Sequence, residues 1–137
     1  MLNIKTLLDD FVSALRKDSY FDGIKIISAY PYTPRPTELK DSIVAVGFSD
    51  ISFESDRIGE SSRYGQVKIF ADIFVPFGED SKKACEIFAR ICEAVSSYNV
   101  VAVSAQRTYA NKETASYIMK TEIAFNGEIL FGGGSGE

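Results

Sequence analysis

Histidine and tryptophan are absent from this sequence, and cysteine, methionine and proline number two, two and four. The missing histidine removes the commonest general base and the commonest metal ligand together. Ser-His-Asp and Cys-His nucleophilic machinery is thereby excluded. The two thiols, Cys85 and Cys92, stand about two helical turns apart, roughly 10 Å along one helix face, which is too far for a disulfide in a straight helix. They read as small buried apolar residues of a protein assembled in a reducing cytoplasm. No segment approaches the ~20 apolar residues that cross a bilayer. The opening MLNIKTLLDDFV carries Asp9 and Asp10 and lacks the basic start and unbroken apolar run of a signal peptide. The closing GGGSGE is glycine-rich, but no strand–turn–helix and no GK[ST] accompany it, so it is no phosphate cradle. No acidic loop has EF-hand spacing. Neither a cofactor nor a metal is expected.

Basic charge is also in deficit. Lys and Arg total 15 against 19 Asp and Glu, a net charge of −4. A protein that grips nucleic acid usually carries a basic face, because its affinity comes from counterion release. Two readings of the acidic balance stand: plain solubility, or a surface that DNA passes without sticking. The acidic residues do not form a catalytic pair. Asp9-Asp10 and Glu79-Asp80 are adjacent and helix-associated, where neighbours do not face each other. Asp50 with Glu54 has no spacing that sets two carboxyls across a cleft.

What is present is a folding domain. The chain has 137 residues, 45% of them hydrophobic and 25% charged, enough to bury a core without staples. Ile4, Leu7, Leu8, Phe11, Val12 and Leu15 recur at helical spacing and predict a first helix over 3–17. Strands are expected at 24–30 and 42–54, where Gly47 marks a bulge or a close approach. Three prolines among residues 31–36 make a stiff extended loop. The polar run 54–65 reads as a long hairpin tip or a mobile loop. The clearest strand is 66–77, with Val67, Ile69, Ala71, Ile73, Val75 and Phe77 on one face. A second helix follows over 81–98, capped by Asp80 or Ser81. Its stripe is Ala84, Ile87, Phe88, Ile91, Cys92 and Val95. Strands at 100–109 and 114–125 close the domain, with Tyr117, Met119, Thr121, Ile123 and Phe125 on one face. Asn126-Gly127 signals a tight turn. The strands that flank the second helix are expected to pair in parallel through a crossover. The expected fold is α+β: a mixed, mostly antiparallel sheet of about five strands packed on two helices, in the order α-β-β-β-α-β-β. Residues 1–131 are expected to form one domain and 132–137 a flexible tail.

No constellation here carries chemistry, so contact surfaces are the candidates. Tyr30, Tyr32 and Tyr64 lie in or beside loops, where tyrosine serves local packing or an interface. The 54–65 loop holds Arg57, Glu60 and Arg63, a solvated tip or a segment that orders on a partner. Phe70 and Phe74 fall on the second, half-polar face of the 66–77 strand, either as core under a helix or as an apolar contact.

The chain resembles the small tail-terminator, or tail-completion, proteins of tailed bacteriophages and related contractile particles. The amphipathic first helix carries the likeness. So do QVKIFADIFVPFGEDSKKACEIFARICEAV, a strand running straight into a helix, and the closing pair VVAVSAQRTYANKETASYIMKTEIAFNGEI. The likeness spans about residues 3–130 as an order of elements. It implies a non-catalytic virion protein of the tail or neck, assembled in the host cytoplasm. It implies a homo-oligomeric ring, sixfold in that family, that caps the tail tube and stops its growth. Its partners would be further copies of itself, the tail tube protein, the head–tail connector and, in a contractile tail, the sheath. DNA would pass through without specific binding. The implied assembly surface draws on Tyr30, Tyr32, Arg35, Arg57, Glu60, Arg63, Tyr64, Phe70 and Phe74. Two other readings stay open: another head–tail connector or baseplate component, or a small-molecule-binding or enzymatic α+β domain.

Overall fold

In the computed structural model, residues 2–3, 5–28, 41–53 and 62–130 are described. The elements are β1 (Leu2–Asn3), α1 (Leu7–Arg16), a 3-10 turn (Ser19–Gly23), β2 (Lys25–Ser28), β3 (Ile43–Phe53), β4 (Ser62–Pro76), α2 (Lys83–Ala94), β5 (Val100–Ala105), β6 (Tyr109–Asn111) and β7 (Ser116–Leu130). Among the described residues the strands form one sheet, in the order β1-β7-β4-β3-β2, with β5 and β6 also paired to β7. Both helices contribute to one core with the sheet, so the fold is the expected α+β.

The antiparallel pairing of β4 with β7 runs from Ser62↔Leu130 to Pro76↔Ser116. Alternation along these two strands sorts the side chains into two faces. Val67, Ile69, Ala71, Ile73 and Val75 point at the helices and are fully buried. Opposite them on the same face stand Phe125, Ile123, Thr121, Met119 and Tyr117. Leu7, Phe11 and Leu15 of α1, and Ala84, Ile87 and Ile91 of α2, close over this face. Phe11 meets Phe125 edge-on at 6.4 Å, and Tyr98 tilts onto the same ring at 6.0 Å. Thr121 satisfies its buried hydroxyl by donating to Ala71 O at 2.6 Å. On the outer side of the helices, Arg90 lies over the Tyr20 ring at 4.8 Å and reaches Asp18 at 3.4 Å. This ties the 3-10 turn to α2.

Several expectations are corrected. Helix α1 begins at Leu7 rather than residue 3. Leu2 and Asn3 instead pair in parallel with Ile129 and Leu130. The Asn3 side chain accepts from Lys5 N–H at 3.0 Å and its carbonyl from Thr6 N–H at 3.1 Å, which turns the chain into the helix. Helix α2 starts at Lys83, with Lys82 at the cap position. Asp80 holds the preceding turn by accepting from Lys82 N–H at 2.9 Å. Cys85 is exposed and Cys92 half-buried, so the thiols are not core residues. Burial does push the Cys92 thiol above its ordinary value. Phe77 lies beyond the end of β4 and is 40% exposed, resting edge-on against Tyr117 at 5.0 Å.

The strands flanking α2 do not pair, because β7 lies between β4 and β5. The parallel pairs are β2 with β3 and β1 with β7. Asn126-Gly127 makes no turn and β7 runs straight through it. Asn126 is occupied as a strand residue. Its amide donates to Asn99 O at 3.1 Å, its carbonyl accepts from Asn99 Nδ2 at 2.9 Å, and its side chain accepts from Gln66 at 3.2 Å. Gly47 is no bulge: the irregularity falls between Phe48 and Asp50. The loop expected at 54–65 ends earlier, since β4 already begins at Ser62. The proline loop, Ile4 and the glycine-rich tail lie outside the described residues.

Two outcomes are expected. Phe125→Ala removes the ring shared by α1 and the sheet and costs about 3–5 kcal/mol, read from urea unfolding. Ala115 sits at φ 50° in the turn before β7. Ala115→Gly relieves that left-handed strain and raises stability by about 0.5–1 kcal/mol in the same assay.

Candidate assembly surface

The second face of the sheet carries Tyr64, Gln66, Lys68, Phe70, Asp72 and Phe74 from β4, set by the same alternation. Among the described residues no helix packs on it. Phe70 and Phe74 are half-buried there, so they are not core under a helix. Phe70 stands between Gly47 of β3 and Glu122 of β7, and Phe74 between Ile43 and Ile118. Their rings sit among small and apolar neighbours: Gly47, Ala45 and Ile118 are all buried. Tyr64 lies further along the same face, 54% exposed.

Polar groups interrupt this apolar strip. Asp72 is directly opposite Lys120 in the ladder. Burial raises the Asp72 carboxyl above its ordinary 3.8, and Lys120 opposes that shift less strongly. Ser49, in the bulged part of β3, donates to Glu122 Oε2 at 2.6 Å across the width of β4. With Ser104 and Gln106 these residues line an open cleft of about 320 Å³. Among the described residues no group of three or more His, Cys, Asp or Glu is placed to hold a metal ion. The face is half apolar, with Asp72, Lys120 and Glu122 held at fixed positions along the ladder.

Of the nine residues singled out from the sequence, the structure brings Tyr64, Phe70 and Phe74 onto this one face. Arg63 is in β4 beside Tyr64. Tyr30, Tyr32, Arg35, Arg57 and Glu60 lie outside the described residues. The sequence reading missed the edge of the sheet. Strand β5 is exposed along almost its whole length, with Val101 at 47% and Val103 at 45%. The signal was present: VVAVSA contains no charge and no proline, the residues that normally protect an edge strand. The expectation of a parallel pairing through α2 placed this strand inside the sheet and hid it.

The sign of the Asp72 shift gives a test. A carboxyl whose pKa is raised by folding holds its proton more tightly in the native state. Its charged form therefore costs stability, a cost absent below the unfolded value near 3.8 and accumulating as pH rises through the raised folded value. Asp72→Asn is expected to raise the thermal midpoint at pH 7, with the gain shrinking towards zero as pH falls below about 4.

No family model matches the chain, and no curated protein is detectably similar to it in sequence. Among solved structures the fold matches a chain of "Virion of native gene transfer agent (GTA) particle" with a TM-score of 0.56. The match covers 86% of this chain and 91% of the other at 16% identity, so the likeness is one of fold across nearly the whole of both chains.

Proposed function

We propose that this protein is a structural, non-catalytic component of a phage-like particle and acts as a tail terminator. In this reading, copies form a ring on the last ring of the tail tube, stop tube growth and offer the joining surface to the head connector. In a contractile tail the ring also meets the sheath. The observation that carries the reading is the fold shared with a chain of a gene transfer agent virion over most of both lengths. Three physical features support it. The open sheet face offers a broad contact area, with Phe70 and Phe74 as apolar anchors and Asp72, Lys120 and Glu122 as orienting charges. The net charge of −4 suits a ring through which DNA passes. A sequence without histidine lacks the commonest general base.

Deleting the gene and imaging the particles by electron microscopy tests this directly. Headless tails of uncontrolled length are the expected result. Tails of normal length that lack a head joint or a tip would place the protein in the connector or baseplate instead. Unaltered particles would overturn a virion role.

A further inference from the structure

Among the described residues the sheet has two edges: β2 forms one, and β1, β5 and β6 lie in turn along β7 to form the other. A strand edge presents unpaired N–H and C=O groups, and proteins that stay monomeric blunt it with charge, proline or cover. Strand β5 has none of these along VVAVSA, and Val101 and Val103 are exposed beside its free backbone.

The free groups on the two edges match in number, direction and face. Gln106 N–H donates to Lys120 O at 2.8 Å. In an antiparallel ladder alternate residues face the partner strand, so Ala102 and Ser104 bond to β7 while Val103 and Ala105 turn their N–H and C=O outward. At the other side Lys25 N–H donates to Ser42 O at 3.1 Å. By the same alternation Lys25 and Ile27 face β3, and Ile26 and Ser28 turn outward. Each edge thus offers two residues, spaced by two, with free donors and acceptors.

Direction agrees as well. Strand β2 is parallel to β3, and the steps from β3 to β4, β4 to β7 and β7 to β5 are each antiparallel. Strand β5 therefore runs opposite to β2. A second copy laid beside the first in the same sense brings its β2 antiparallel to the first copy's β5. The faces agree too. Ile26 and Ser28 lie opposite Val44 and Val46, and Val103 and Ala105 opposite Ile123 and Thr121, all on the helix-covered side. Directly paired residues share a face, so the joined sheets keep their helices on one side and their open faces on the other.

We infer that β5 of one copy pairs antiparallel with β2 of the next, joining sheets head to tail into a closed ring. The inference rests on the ring reading above for its partner, a second copy of this chain. Self-pairing of β5 would leave every β2 edge open, whereas the head-to-tail contact uses β2 and β5 together, and a heterologous contact gives a ring when its rotation closes.

Proline at an outward position removes only a free N–H and spares the ladder within the sheet. Native mass spectrometry is therefore run on the wild-type chain, on Val103→Pro, on Ser28→Pro and on an equimolar mixture of the two. The expected wild-type species is an oligomer of one size. Each variant alone is expected as a monomer with unchanged far-UV circular dichroism. The mixture is expected to give a dimer containing one copy of each, because each variant keeps one working edge. Val103→Lys, which charges the edge without touching backbone groups, repeats the test should the proline variant fail to fold. Wild-type protein that stays monomeric, variants that assemble like wild type, or Ser28→Pro dimers would each overturn the inference. Supplying Val103→Pro to particles lacking the gene separates the two proposals. Restored tails with an unchanged oligomer would remove the edge contact and leave the tail role standing. Loss of the oligomer, with no effect of gene deletion on the particles, would do the reverse.

Discussion

Everything in this fold hangs on the ladder between β4 and β7. It aligns fifteen-residue strands in register and so decides, residue by residue, which side chains meet the helices. A one-residue slip would exchange Val67, Ile69, Ala71, Ile73 and Val75 for Lys68, Phe70, Asp72 and Phe74 at the core. The buried set is fully apolar and the other is not, so only one register buries a continuous core. The Thr121 hydroxyl on Ala71 O and the Gln66–Asn126 contact add polar bonds that hold in that register alone.

The same ladder explains why, among the described residues, one face carries no helix. Two helices are enough to cover the apolar side, and α1 and α2 both lie there. The second side keeps its own moderately buried strip, because Phe70 and Phe74 lie beside Gly47, Ala45 and Ile118 rather than standing free. Such a surface is compatible with water. Its charges are paired in position across strands, Asp72 opposite Lys120 and Lys68 opposite Asp50, so an incoming surface meets fixed signs rather than a diffuse field. Among the described residues the sheet has one covered face, and its edge strands have no further strand beside them.

The likeness in fold to a virion chain carries little sequence identity, and physics accounts for that. A domain of this fold must keep its sheet twist, its helix layer and its strand pairing. Many apolar sequences meet those needs, because cores tolerate exchange when volume and pattern are kept. The sequence shows no catalytic motif that would anchor particular residue types. A functional reading from motifs therefore finds nothing here, while a reading from shape and from unpaired backbone does.

Period-two and period-3.6 patterns placed both helices and the five main strands, and the buried stripes Leu7–Phe11–Leu15 and Ala84–Ile87–Ile91 were legible from spacing alone. The missing histidine and the acidic balance likewise follow from composition. Of the candidate contacts, Phe70 and Phe74 could be assigned to one strand face in advance, because alternation along a strand is a local property, whereas Tyr64 reads as a loop residue in the sequence and joins them because β4 begins at Ser62. Which strands become neighbours is not local. Asn126-Gly127 has the chemistry of a turn, yet Asn99 and Gln66 claim its polar groups and hold it extended. The insertion of β7 between β4 and β5 pushed VVAVSA from the sheet interior to its rim. The residues 100–105 themselves determine that they can form a strand. Only long-range pairing decides whether that strand's backbone is satisfied inside the sheet or left open at its edge.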